Sequence, residues 1–197
     1  LAFRVLDFPD LTVDGSFPLG AAVTAVLIIA GVNPWLSAGV AMVAGAGAGL
    51  VTAMLNVRFR ILNLLASILT MIALFSVNLR VMGKPNVALI NADTMISPFF
   101  GLGLRDFYVR PLFVGILVVV AVIIVWRFLE SDAGLSMRAT GANARMARAQ
   151  GVDTNRQIYL GIALSNALVA LGGALFAQTN GFADVTSGVG TIVVGLA

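Results

Sequence analysis

The side chains able to do acid–base or ligand chemistry are few, because the chain carries nine Asp/Glu and twelve Lys/Arg but neither His nor Cys. That removes imidazole acid–base chemistry, thiolate nucleophiles, disulfides and Cys/His zinc sites together. The polar residues that could act fall mainly in two short runs of similar make-up. Phe8-Pro9-Asp10-Leu11-Thr12 near the start and Phe182-Ala183-Asp184-Val185-Thr186 near the end set an Asp and a Thr at the same spacing. Each run is followed by a Gly/Ser-containing break and then an apolar stretch. In the first, Asp14-Gly15-Ser16-Phe17-Pro18 reads as a helix start, with Ser16 as N-cap and Pro18 in the first turn. Two roles are open to Asp10, Thr12, Asp14, Asp184 and Thr186. They line a translocation path enclosed by protein, where irregular backbone is tolerated at membrane depth, or they are ordinary caps at a membrane surface. No catalytic residue and no metal ligand set is expected. There is no Gly-x-x-x-x-Gly-Lys-Ser/Thr phosphate loop, since Gly83-Lys84 is followed by Pro85 and lacks the upstream glycine. His-Glu-x-x-His and Gly-x-Ser-x-Gly motifs are absent as well.

The elements that must position these residues are apolar. Of the 197 residues, 59% are hydrophobic and only 11% charged, and mean hydropathy is +1.01. A soluble domain carries about 25% charged residues, so the bilayer is the natural solvent. The charges also cluster: none occurs from Gly15 to Val57, and none from Gln157 to Ala183. Each charge at the centre of a spanning helix costs roughly 2.5–3.5 kcal/mol, which explains such gaps. The net charge of +3 and pI near 10.2 come from basic residues at helix ends, so no nucleic-acid partner is expected.

Five segments approach the about 20 apolar residues a spanning helix needs. They run from Phe17 to Val32, Leu36 to Leu55, Ile61 to Val81, Pro111 to Trp126 and Ile158 to Phe176, and Thr191 to Ala197 reads as the start of another. Ala41, Gly45 and Gly49 on the second, and Gly172, Gly173 and Ala174 on the fifth, are small residues of the kind that let helices approach in lipid. Both helices are therefore expected inside a bundle. The turn with Arg58 and Arg60 and the loop with Arg127, Arg138, Arg145, Arg148 and Arg156 lie two helices apart and share a side, which the positive-inside rule makes cytoplasmic. The loop from Arg80 to Arg110 then faces the other side, with Pro85, Pro98, Phe99, Phe100, Gly101 and Gly103 marking an irregular or re-entrant stretch.

Five predicted helices, an odd number, separate the two Asp-x-Thr runs, so the copies enter the membrane from opposite sides. That is the arrangement of an inverted internal repeat, which in transporters puts the path between the halves. The fold expected is all-α: one polytopic transmembrane helical bundle over 1–197 with broken or re-entrant helices. The opening at Leu1 without Met and the stop at Ala197 inside an apolar run suggest that it is incomplete at one or both ends.

The longest polar segment of the predicted cytoplasmic side lies within 127–157 and reads SDAGLSMRATGANARMARAQG from Ser131 to Gly151. Its alanines and methionines favour a short helix, punctuated by Gly134, Gly141 and Gly151 as turns or caps. By composition it serves either as a knob for a cytosolic partner or as a basic piece lying on anionic membrane lipid.

This segment, the following LGIALSNALVALGGALFAQTNGFADVTSGVGTIVVGLA and the opening FPDLTVDGSFPLGAA resemble the permeases of branched-chain amino acid, ribose and related ABC importers. The similarity is strongest to an amino-acid-type subgroup, some members of which are linked to aromatic amino acids. The resemblance covers nearly the whole chain. It implies a bacterial inner-membrane subunit working by alternating access, with no cofactor of its own because ATP is bound by a separate ATP-binding cassette subunit. It further implies a second permease copy, as a homodimer, and a periplasmic or lipoprotein substrate-binding protein. By the same resemblance the 127–157 loop is the coupling loop, and Gly134, Arg138, Ala139, Gly141, Asn143, Ala147 and Gly151 contact the ATPase. The alternatives are a channel or structural membrane protein without an ATPase partner, or an intramembrane enzyme. Substrate identity is not readable, because the predicted spans hold no charged residue to fix a ligand's charge.

Overall fold

The computed structural model describes residues 2–89, 94–95 and 106–192, the side chains of 106–110 excepted. It is an α-helical bundle of α1 (Ala2–Leu6), α2 (Val13–Ile29), α3 (Pro34–Val57), α4 (Asn63–Met82), α5 (Asp106–Glu130), α6 (Asp132–Ala142), α7 (Ala144–Ala149) and α8 (Thr154–Asn180). Two three-residue strands, β1 (Asn86–Ala88) and β2 (Phe182–Asp184), pair antiparallel, with Asn86 opposite Asp184. Such short strands have no room for an alternating pattern, and the sequence does not announce them. Of the stretch read as irregular, Pro85 lies among the described residues and Pro98 to Gly103 outside them.

Among the described residues, four helices are long and apolar enough to cross a membrane: α3, α4, α8 and Pro111–Glu130 of α5. At 1.5 Å per residue, α3 and α8 reach about 36 and 40 Å, against a hydrocarbon core of about 30 Å. The first expected span is different. Helix α2 starts at Val13, earlier than Ser16 suggested, and its 17 residues reach only about 25 Å. Pro111 likewise falls inside α5 rather than at its start. Helix α8 is longer than its apolar run because Asp153 caps its first turn, accepting from the Asn155 and Arg156 N–H groups, and Gly181 ends it in a left-handed conformation at φ 77°.

Helix α8 is the hub, packed along its length on α3 and α2. Small residues set how closely these helices meet. A Cβ at Gly20 would overlap the Ala170 carbonyl, one at Gly173 the Phe17 carbonyl, and one at Gly49 would sit 2.6 Å from the Ile162 oxygen. Gly45 lies against Ala170 and Asn166 in the same way. Gly47, on the outer side of α3, has nothing near it and serves no such purpose. The contacts of Ser16 with Asn166 and of Gly20 with Ala170 show α2 running parallel to α8, while those of Gly45 with Ala170 and Gly49 with Ile162 show α3 running antiparallel to α8. By contrast, no residue in the apolar window of α5 is buried.

The ends differ in charge. The α3–α4 turn, α6, α7 and the start of α8 gather Arg58, Arg60, Arg138, Arg145, Arg148 and Arg156 at one end, and Asn56, Arg60, Arg148 and Asn155 line a common cleft there.

Candidate functional site

The chain breaks between α1 and α2. Asp7 turns it with a φ of 52°, a left-handed value that a short polar side chain tolerates better than most. Phe8 then plugs into a cluster with Leu6, Ala53, Met137 and Ile162. Next comes a compact turn. Oδ1 of Asp10 accepts the Thr12 N–H at 2.9 Å, and Oδ2 accepts from Asn166 Nδ2 at 2.7 Å. Asn166 Nδ2 also reaches the Ile162 carbonyl at 3.1 Å, and Asn166 Oδ1 accepts from Ser16 Oγ at 2.7 Å. The Thr12 and Thr52 hydroxyls lie 2.8 Å apart. Since Thr52 gives its proton to the Ala48 carbonyl, Thr12 is the donor between them.

This network ties the break to α3 and α8. Asp10 is 9% exposed, and Thr12, Ser16, Thr52 and Asn166 are fully buried. Its depth follows from α8: Asn166 stands roughly 18 Å from one end of that helix and 21 Å from the other. Asp10 is therefore an ionisable group at the mid-level of a spanning helix, although no predicted span contained it. Helix α2 starts at the same level and runs toward the arginine-poor end. Ser16, expected to cap that helix, sits inside it and bonds to α8 instead.

The second Asp-x-Thr run repeats the local geometry elsewhere. Asp184 Oδ1 accepts the Thr186 N–H at 2.7 Å, and Oδ2 accepts from Asn86 Nδ2 at 3.1 Å. It lies near the surface at the arginine-poor end, just after α8. Its carboxyl is held below the ordinary carboxylate range by the hydrogen bonds from the Thr186 hydroxyl, the Thr186 backbone N–H and the Asn86 amide, in that order, against a smaller opposing effect of burial. From there the chain turns inward. Gly188 lies against the Asp14 carbonyl, where a Cβ would overlap it. Asp14 accepts from the Ile192 N–H at 3.1 Å and the Gly190 N–H at 3.4 Å, and helical backbone resumes at Thr191. The two breaks thus come from opposite ends and meet where Asp14 grips the second. Nearby, Asn78 donates to the Gly15 carbonyl at 3.2 Å while its own oxygen has no partner among the described residues.

Of the five residues singled out from sequence, Asp10 and Thr12 share one network, Asp14 bridges the breaks, and Asp184 and Thr186 form a separate surface turn. Asn166 and Thr52 were missed. The available signal was Ser165-Asn166, a polar pair in the middle of a long charge-free span.

At the arginine-rich end, Ser131 caps α6, and Asn143 both ends α6 and caps α7, accepting from the Arg145 and Met146 N–H groups at 3.1 and 3.0 Å. The glycines here are not all turns. Gly134 and Gly141 lie within α6, where a Cβ would overlap Leu129 of α5 and the Val5 carbonyl of α1 respectively, so close approach and not positive φ requires glycine. Gly151 alone of the three is left-handed, at φ 86°. Arg138, Ala139 and Asn143 face outward, Gly134 and Ala147 are buried, and Gly141 is half-buried. Leu135 and Met146 add an apolar element to the outward face.

A family model described as "Branched-chain amino acid transport system / permease component" matches residues 1–197. The "Tyrosine transport system permease protein" of Clostridioides difficile (strain R20291) is 35% identical over 198 residues, covering all of this chain and 64% of the relative. "Uncharacterized protein RP368" of Rickettsia prowazekii (strain Madrid E) is 36% identical over 196 residues, covering all of this chain and 67% of the relative. The chain thus spans about two thirds of the length of these curated relatives. No solved structure matches it.

Proposed function

The chain belongs to the permease family of branched-chain amino acid transport systems, and from that premise we propose that it is the membrane-spanning subunit of an ATP-driven importer. It is a multi-pass membrane protein of the transport machinery, seated in bacteria in the inner membrane. On this reading ATP is bound and hydrolysed by a separate ATP-binding cassette subunit, and solute arrives from a periplasmic or lipoprotein binding protein. A second permease copy completes the pathway, which opens alternately to either side. The cargo is a small polar solute, an amino acid; the relative named for tyrosine favours an aromatic one.

The observation that carries the reading is the α6–α7 pair. Glycine contacts hold it against α1 and α5 in one pose, and it presents Arg138, Ala139, Asn143, Leu135 and Met146 outward at the arginine-rich end. A rigid exposed knuckle is what a coupling contact needs. A helix resting on lipid has no use for fixed orientation.

The test uses the complete transporter in vesicles. Gly141→Val forces α6 off α1, an overpacking that costs about 1–3 kcal/mol. Arg138→Glu inverts a charge, and breaking a buried interfacial pair costs about 2–5 kcal/mol. Both variants are expected to insert normally but to lose co-purifying ATPase or binding-protein-stimulated hydrolysis. Full stimulation in both overturns the coupling assignment.

A further inference from the structure

Beside the first break lies a cavity of about 360 Å³, within the range of roughly 300–1,000 Å³ typical of small-molecule sites. Its walls are mostly apolar, with Phe3 of α1, Leu64 of α4, Val169 of α8 and Ile192 among them. Three polar side chains interrupt that lining; Thr191 already donates to the Gly188 carbonyl at 2.7 Å, and two others are available. One is Asp10, whose two oxygens hold one neutral donor each and so retain unused acceptor capacity. The other is Ser165, 8% exposed, whose hydroxyl makes no hydrogen bond among the described residues. The residue is largely buried, yet it lines the cavity, so its hydroxyl is placed to take a partner there. A second cavity of about 400 Å³ lies across α2, but there the carboxylate, Asp14, is already engaged by two backbone N–H groups.

We propose that the Asp10 cavity binds the ammonium group of a solute with an apolar body, Asp10 pairing with the charge and Ser165 Oγ accepting a second N–H. The chemistry selects this class. A carboxylate at mid-membrane depth must face water, protein or a cation, and intramembrane ionisable groups of this kind mark substrate or ion pathways. A bare metal cation is a poor occupant, because hard cations take six or more oxygens and these walls are apolar. A primary ammonium needs only a few acceptors, and its apolar remainder suits the lining. The proposal rests on the transport reading above and adds to it the part of the solute that the membrane subunit recognises.

The test places Ser165→Cys in the complete permease as its single cysteine. Labelling rates are compared for 2-aminoethyl methanethiosulfonate, a cation, and 2-sulfonatoethyl methanethiosulfonate, an anion. Adding Asp10→Asn is expected to lower the cation-to-anion rate ratio by roughly tenfold, the size of a single nearby charge partly screened, whereas Asp10→Glu retains the preference. Asn at position 10 can still accept the Thr12 N–H, and an Asn166 flip presents its oxygen to the new amide and its NH₂ to the Ser16 hydroxyl, at the loss of its bond to the Ile162 carbonyl. Tyramine is expected to slow labelling when Asp10 is present and not in Asp10→Asn; 3-(4-hydroxyphenyl)propionate, which lacks the ammonium, is expected to have no effect. An unchanged ratio in Asp10→Asn, or equal protection by the two solutes, overturns the proposal. ATP-driven uptake of L-tyrosine by the unaltered transporter is measured alongside. Uptake with an unchanged ratio defeats the ammonium site alone, while absence of ATP-driven uptake of any amino acid defeats the transport reading itself.

Discussion

The Asp10 and Asp184 turns are the same piece of local structure in two settings. In both, Oδ1 takes the N–H of the Thr two residues on, and Oδ2 takes an Asn side-chain amide. The threonine hydroxyls separate them. That of Thr12 crosses to Thr52 on α3, while that of Thr186 folds back onto its own Asp184 at 2.5 Å. A short Asp-x-Thr sequence therefore suffices to write the turn, and burial decides whether it joins helices or only closes on itself. One copy is a tie between α3, α8 and a helix break. The other ends a strand.

The comparison is broken most severely at Asp10. Replacing it with Ala orphans the Thr12 N–H and leaves Asn166 Nδ2 with only the Ile162 carbonyl, at about 1–3 kcal/mol per unsatisfied group. A fall in stability of about 2–5 kcal/mol is expected by thermal unfolding in detergent, against no more than about 1 kcal/mol for Asp184→Ala. Equal losses would show that the buried network contributes nothing special. Smaller, but cleaner, is the pair Thr12→Val and Thr186→Val. Only the first removes a bond between helices, so it is expected to cost about 1 kcal/mol, and the second to stay within about 0.5 kcal/mol, as surface changes do. Position supplies a third contrast: cysteines at Ser187 and at Asn143 are expected to react with impermeant reagents from opposite faces of the membrane, and labelling from one face would overturn the orientation.

The smallest effect is in pH. The folded Asp184 carboxyl titrates below its ordinary value of 3.8, so its contribution is full above that pH and disappears as pH falls through the depressed folded value. The difference in unfolding temperature between the wild type and Asp184→Asn is thus expected to be constant near neutrality and to shrink only below about pH 3.8. A difference that shrinks already near pH 6 would assign it to another group.

Much of the architecture was legible in the sequence because lipid imposes simple rules. Charge-free runs long enough to span became α3, α4, α5 and α8, and Gly45, Gly49 and Gly173 marked the packed faces. What escaped depends on contacts remote in sequence. Ser16 looked like a cap because a Ser before Phe-Pro is good cap chemistry; its true partner, Asn166, is 150 residues away. Gly141 looked like a turn because nothing local reveals that the Val5 carbonyl lies against it. Asp10 was placed outside every span because hydropathy counts residues along one continuous helix, whereas this passage is made from α1, a break and α2.

The backbone contacts at Gly20, Gly45, Gly49 and Gly173 carry a consequence for how this chain can vary over generations. At these positions even alanine adds an atom where a carbonyl or methyl already lies. Tolerance to mutation along α2, α3 and α8 should therefore follow distance to the neighbouring main chain and not polarity. A saturation library would accept Val, Leu or Phe freely at Gly47, in the open, and reject every residue but glycine two positions away at Gly49.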